Sequence, residues 1–162
     1  HETKEIMGVT CIVVEDVESF EGEVQEDTFD YFAQDEWGNV WYFGELSMEF
    51  EDGELASLDG SWLAGIDGAK PGIIMPADPQ VGDYYRQEFF IAEAEDVFGM
   101  LSLHAVVDVP YGHFVHCLMT EDFSALEPGN LEQKFYAPGI GLVLEYDPED
   151  GERLELIDIA HN

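Results

Sequence analysis

The sequence predicts an all-β fold, namely a single antiparallel meander of about ten strands that forms an open barrel or a sandwich. Apolar and polar residues alternate over short runs, which is typical of strands with one buried face. Turn-forming residues recur about every ten positions, and helical periodicity is nearly absent. We therefore expect residues 1–162 to form one β domain.

The predicted strands follow one another with a turn after most of them. Several predicted turns consist of an acidic residue followed by glycine, and such dipeptides tolerate the positive φ that tight turns need. Examples are Glu21-Gly22, Asp52-Gly53 and Asp150-Gly151. Such turns join antiparallel neighbours, so we expect the strands to pair in sequence order. The expected strands are residues 4–17, 23–34, 40–50, 54–62, 84–93, 101–109, 113–120, 131–137, 141–146 and 153–158.

Two segments depart from this pattern. Residues 65–82 lose the alternation and carry three of the seven prolines, which predicts a long Pro-rich loop. The loop should be ordered, because Ile73, Ile74 and Met75 are too apolar to remain in water. Residues 92–100 are the one candidate helix, and it is short.

Charge is the most unusual property of the chain. Asp and Glu total 37 against five Lys and Arg, a formal net charge of −32. Such a surface repels nucleic-acid phosphates and attracts hydrated cations, so we expect cations but no nucleic acid as partners. Adaptation to a saline habitat and dedicated binding of divalent cations both explain the charge, and they are compatible.

Sequence also bears on location. No run approaches the ~20 apolar residues of a membrane helix, so we expect no membrane insertion. The chain begins at His1 instead of Met, which we interpret as trimming of a signal peptide, an anchor segment, a tag or neighbouring residues. We expect the protein in the cell envelope or outside the cell.

Three segments resemble known proteins: residues 32–45 (FAQDEWGNVWYFGE), 70–83 (KPGIIMPADPQVGD) and 134–145 (KFYAPGIGLVLE). They are similar to a group of uncharacterised bacterial secreted or lipid-anchored all-β domains, and with the strands between them the likeness covers nearly the whole chain. The resemblance implies export and an all-β fold. It assigns no catalytic residue, because no activity is established for that group.

Aromatic residues concentrate around one predicted hairpin. Trp41 and Phe43 share one face of their strand, and Tyr42 lies on the other. One face packs in the core, whereas the remaining rings could stack on a sugar or line the mouth of a barrel. Core packing of all the rings is the competing interpretation. The candidate ligand-binding residues are Trp37, Trp41, Tyr42 and Trp62.

Acidic residues crowd two predicted turns and are candidate calcium ligands. Calcium takes six to eight oxygen ligands, but neither cluster has the spacing of an EF-hand loop. Turn formation by Asp and Asn explains both clusters without an ion. We expect no cofactor, with calcium as the alternative. The candidate metal ligands are Asp27, Asp30, Asp35, Asp147 and Asp150.

Histidine and cysteine suggest two further features. His113 and Cys117 share one face of a strand about 13 Å apart, and His116 points to the other face. No two of these residues can therefore bind one transition metal without help from elsewhere in the chain. Cys11 and Cys117 are the only cysteines. They form either one disulfide or two separate buried thiols, and the sequence leaves both open.

Motifs of nucleophilic catalysis are missing from the sequence, which has no Gly-x-Ser-x-Gly elbow and no Gly-rich phosphate loop. We therefore assign no catalytic residue and expect a non-enzymatic, exported, salt-adapted module that binds a small or sugar-like ligand. The alternatives are a calcium-dependent structural or adhesive domain and a small β-barrel enzyme with an Asp, Glu or His base.

Overall fold

The computed structural model describes residues 2–126 and 128–160, and all regular elements in these ranges are β-strands. Every strand pairing is antiparallel, which confirms the predicted fold class. No helix in the described ranges has the length and apolar character needed to cross a bilayer. The strands are β1 (Thr3–Ile6), β2 (Val9–Phe20), β3 (Glu23–Gln34), β4 (Val40–Glu51), β5 (Glu54–Ser57), β6 (Trp62–Leu63), β7 (Lys70–Met75), β8 (Tyr84–Arg86), β9 (Glu88–Phe89), β10 (Asp96–Val109), β11 (Gly112–Ser124), β12 (Glu132–Ala137), β13 (Gly141–Tyr146) and β14 (Arg153–Glu155).

The chain divides into two compact units. The first unit contains the described residues up to Ala77 together with Gln87–Glu95, and its sheet has the order β1-β2-β3-β4-β7-β9, with β5 and β6 also paired to β4. The second unit contains Asp78–Arg86 and the described residues from Asp96 onward, and its sheet has the order β14-β13-β12-β11-β10-β8. Neither order closes into a barrel within the described residues. The single domain over residues 1–162 stays a prediction.

Each unit has its own apolar core, and each core contains one cysteine. Cys11 packs with Ile6, Tyr31 and Trp62 in the first unit, and Cys117 packs in the second. Both cysteines are fully buried free thiols, which is the second of the two alternatives left open by the sequence. Burial raises the pKa of both thiols, so neither is an active nucleophile.

Several predicted strands have the correct bounds, but turns divide others. The predicted strands 23–34 and 141–146 coincide with β3 and β13. The predicted strand 4–17 is instead a hairpin of β1 and β2, turned by Met7 and Gly8 at φ +52° and +79°. Residues 54–62 similarly divide into β5 and β6, and residues 84–93 into β8 and β9.

The sequence predicted a long Pro-rich loop and at most one short helix, and the structure refines both expectations. The Pro-rich segment 65–82 contains strand β7, which pairs with β4 and β9. Proline did not prevent a strand there, because its missing N–H matters only at ladder positions that need a donor. The predicted helix 92–100 is absent: Ala92 has φ +65°, outside the right-handed helical region, and β10 already begins at Asp96.

Candidate functional site

An open cleft of about 330 Å³ lies in the first unit, and we call it the Trp62 cleft. Its volume falls at the lower end of the range for small-molecule sites, roughly 300–1,000 Å³. Its lining residues supply aromatic rings, two carboxylates, two hydroxyl groups and one ammonium group. The lining residues are Lys4, Tyr31, Glu45, Leu46, Ser61, Trp62, Leu63, Ile66, Asp67 and Phe90.

Gly44 fixes the position of Trp62. Strand β6 pairs with β4 so that Gly44 faces Leu63 and Glu45 faces Trp62. The backbone of Gly44 has φ +130°, and a Cβ there would lie 2.3 Å from the carbonyl oxygen of Trp62. Only glycine combines this φ with so close an approach of two strands. The glycine therefore allows the close pairing of β6 with β4 that places Trp62 opposite Glu45.

The indole of Trp62 is buried, yet its N–H lacks a partner. Trp62 is 4% exposed, and its ring meets that of Tyr42 edge-on at a centroid distance of 5.4 Å. Within the described residues, no group accepts a hydrogen bond from its Nε1. A buried donor without an acceptor costs roughly 1–3 kcal/mol. Trp62 lines the cleft, so this unpaired donor belongs to a residue of the cleft wall.

The buried phenol of Tyr42 contacts two carboxylates, one of which belongs to a cleft residue. The hydroxyl of Tyr42 donates to Oδ1 of Asp30 at 2.5 Å and also contacts Oε2 of Glu45. Asp30 on β3 faces Glu45 on β4 in the ladder, so the register brings both carboxylates to one phenol. Burial and the charges of Asp30, Glu45 and Glu88 hold the pKa of Tyr42 well above its ordinary value. Tyr42 is therefore a fixed donor and not a base.

Lys4 contributes the one cationic group of the cleft lining. Its Nζ lies 4.0 Å from the centre of the Tyr31 ring, within the distance of a cation–π contact. Tyr31 is 5% exposed, and both residues line the cleft. The ammonium group of Lys4 therefore already makes a favourable contact within the protein.

The predicted aromatic set is divided between two places. Trp62 lines the cleft and Tyr42 packs edge-on against it, whereas Trp37 lies in the turn between β3 and β4 and Trp41 lies at the start of β4. Trp37 is 74% exposed there, and Nε1 of Trp41 donates to Oδ2 of Asp35 at 2.9 Å. Of the four predicted ligand-binding residues, Trp62 therefore lines the cleft, and Tyr42 contacts its ring.

Asp35 organises this turn with hydrogen bonds. Its carboxylate accepts from the backbone N–H groups of Trp37 and Asn39 and from the Asn39 amide, at 2.9–3.0 Å. The Trp41 indole and these further bonds lower the pKa of Asp35 to about 2. The hydrogen bonds of the turn therefore stabilise the ionised carboxylate of Asp35. Turn formation accounts for this residue without a bound calcium ion.

The other candidate metal ligands also lie in turns or ladders. Asp147 Oδ1 accepts from the backbone of Glu149 at 2.6 Å, and Asp150 Oδ1 accepts from that of Glu152 at 2.8 Å. Asp30 contacts Tyr42, and Asp27 lies on β3 opposite Met48. Across residues 2–126 and 128–160, no three His, Cys, Asp or Glu side chains are grouped to hold one metal ion. Calcium binding stays a prediction.

In the second unit, two carboxylates surround the amine of Lys134. Nζ of Lys134 lies 3.3 Å from Oε2 of Glu145 and 3.8 Å from Oε2 of Glu132. Burial alone would lower the pKa of Lys134, but Glu145, Tyr136 and Asp122 hold it well above its ordinary value. The amine therefore stays charged and is not available as a nucleophile.

Sequence reasoning missed Glu45, Lys4, Tyr31, Ser61 and Phe90 of the cleft. One signal for Glu45 was present: a glycine inside an alternating strand often marks a bulge or a close backbone approach, and Gly44 directly precedes Glu45. The remaining residues come from separate strands and loops, so their proximity depends on the fold.

Comparison with known proteins adds no assignment, because no protein-family model, curated protein or solved structure matches the chain. The function has to be inferred from the geometry of the cleft and from the charge of the chain.

Proposed function

We propose that this protein is an exported, salt-adapted binding module whose Trp62 cleft takes a small hydroxylated or sugar-like ligand. The observation that carries the proposal is the buried, unpartnered N–H of Trp62, a cleft residue that faces Glu45 across the ladder of β4 and β6. A hydroxyl group accepts one hydrogen bond and donates another, so ligand hydroxyls can accept from the indole N–H and donate to a carboxylate oxygen. The rings that line the cleft offer apolar contact to a sugar face.

Charge favours a neutral or cationic ligand over an anionic one. The chain carries a formal net charge of −32, and Glu45 and Asp67 both line the cleft. The single lining cation, Lys4, rests on the Tyr31 ring. An anionic ligand would meet repulsion from two carboxylates and from the protein as a whole. Neutral carbohydrate hydroxyls avoid this cost.

Calorimetry with a panel of neutral mono- and oligosaccharides tests the proposal. The key variant is Trp62→Phe, which keeps a ring in the wall and removes the N–H donor. We expect its affinity for the best sugar to fall about tenfold, which corresponds to one hydrogen bond of about 1.4 kcal/mol. Trp37→Phe is the matched control, because Trp37 is 74% exposed at a turn outside the cleft lining. Equal effects of the two variants, or no binding of any sugar, would refute the proposal.

The location outside the cytoplasm is part of the same proposal. It rests on the resemblance of residues 32–45, 70–83 and 134–145 to secreted or lipid-anchored domains and on the acidic composition. Calcium-dependent structure and base-catalysed chemistry remain alternatives. Calcium titration in ~0.5 M NaCl, where the Debye length is a few Å, distinguishes a specific calcium site from diffuse attraction.

A further inference from the structure

Strands β10 and β11 are irregular around the residue pair Ala105 and Cys117. The register shifts on both sides of this pair, first between Ser102 and Ala105 and again between Ala105 and Val106. Regular pairing resumes with Val106 opposite Val115, so His116 is an extra residue in β11. His104 lies in the other irregular stretch. Bulges of this kind redirect side chains on the bulged strand.

The backbone at both histidines departs from ordinary strand geometry. His116 has φ +59°, the left-handed conformation, which is uncommon for a residue other than glycine. The backbone N–H of His104 donates to Oγ of Ser102 at 3.2 Å, within the stretch where the register shifts. Strained residues of this kind concentrate at functional sites. The side chains of His104 and His116 are therefore candidates for a functional role.

The irregularity brings the two imidazoles together. The ring centroids of His104 and His116 are 5.9 Å apart, and the ring planes make an angle of 82°. Both side chains are exposed, so both rings can rotate and both can be reached by a solute. No sequence pattern joins these residues, because they come from different strands and lie twelve positions apart.

This separation fits two imidazoles on one metal ion. With a metal–nitrogen bond of about 2.0–2.1 Å, a ring centre lies about 3.2 Å from the metal. Two such rings then lie about 5 to 6.4 Å apart as the angle at the metal opens from tetrahedral to linear. The observed 5.9 Å lies within this interval. We propose that His104 and His116 form a surface site for a divalent transition metal such as Zn²⁺ or Cu²⁺.

Water completes this site. The described residues contain no third His, Cys, Asp or Glu grouped with the pair to hold an ion, so the protein supplies two ligands. Imidazole suits zinc and copper, whereas calcium prefers oxygen ligands, so the site discriminates against calcium. The net charge of −32 raises the local concentration of any cation and favours loading.

The proposal changes which residues act with His116. Cys117 is fully buried in the core of the second unit and does not reach the surface. His113 has its Nδ1 2.7 Å from Oδ1 of Asp108 instead. The partner of His116 is His104 on the neighbouring strand. His104 supplies the second metal ligand, which the strand of His116 could not supply alone.

Zinc calorimetry in ~0.5 M NaCl tests this site, because diffuse attraction is screened at that ionic strength. The parent protein should carry His1→Ala, which removes a histidine outside the proposed site that could bind zinc separately. We expect one equivalent of Zn²⁺ to bind, and no comparable heat with Ca²⁺. Even loss of an outer-shell partner weakens metal binding about 10–100-fold, so losing either ring should weaken it at least tenfold.

The variants are chosen so that the fold survives. His104→Gln removes one ring, and His116→Asn removes the other with a residue that tolerates the left-handed conformation. His113→Gln is the matched control on the same strand and should leave zinc affinity unchanged. Circular dichroism checks that each variant keeps its strands. Absence of stoichiometric binding, or equal losses in His113→Gln and His104→Gln, would overturn the proposal. Sugar binding at the Trp62 cleft is independent of all three changes.

Discussion

The substitution Gly44→Ala should destabilise the protein by about 3–5 kcal/mol, which is a severe effect for one methyl group. The added Cβ would lie 2.3 Å from the Trp62 carbonyl oxygen and 2.9 Å from the Leu63 Cα, both backbone atoms. Relief therefore requires β6 to move away from β4. That movement breaks backbone bonds such as Ala64 N–H to Phe43 C=O at 2.8 Å, worth about 1 kcal/mol each. The unfavourable φ adds about 1–3 kcal/mol.

Substitutions at two other glycines distinguish the cost of the backbone strain from the cost of the steric clash. Gly22 has φ +88° with nothing within 4 Å of an added Cβ, so Gly22→Ala should show the backbone strain alone, about 1–2 kcal/mol. At Gly99 the added Cβ would meet the ring of Tyr84, which is 63% exposed and free to turn away, so Gly99→Ala should cost less than about 1 kcal/mol. Urea unfolding followed by circular dichroism gives the three free energies. A value for Gly44→Ala equal to that for Gly22→Ala would refute the steric argument.

Two further predictions concern charge and thiols. Raising NaCl from ~10 mM to ~1 M should raise the thermal midpoint, because screening weakens repulsion among 37 acidic residues that face only five Lys and Arg. A flat or falling midpoint would contradict this. Cys11 and Cys117 should react with a thiol reagent only after unfolding, and then as two thiols per chain, since both are fully buried and free. A bridged protein would give no thiols without reductant.

Strand positions were predictable wherever turn residues flank the strand. β3 lies between Gly22 and the Asp35 turn, and its predicted bounds coincide with the observed ones. The hairpin between β1 and β2 was missed because Met7, an apolar residue, adopts φ +52° at its turn. Nothing in its chemistry signals that conformation, since the cost is met by pairing of the two strands. Local signals therefore locate turns in which a polar residue precedes the glycine, such as Glu21-Gly22, and miss a turn such as Met7-Gly8, in which an apolar residue precedes it.

The candidate site was predictable only in part, for a related reason. Tyr42 and Trp62 were selected as aromatic residues, but their meeting depends on how β6 pairs with β4. The pairing of Asp30 with Glu45, like that of His104 with His116, depends on register and on bulges. A shift of one residue sends every side chain of a strand to the other face, and no single segment encodes its partner's register.

The position of Trp62 has one practical consequence for unfolding experiments. All three tryptophans, at positions 37, 41 and 62, belong to the first unit, so the second unit has only tyrosine and phenylalanine as chromophores. Indole emission therefore reports on the first unit alone, while backbone dichroism reports on the strands of both. Overlaid denaturation curves from the two signals reveal whether the halves of the chain lose structure in one cooperative step. The chain thus carries its own optical label on the half that holds the cleft.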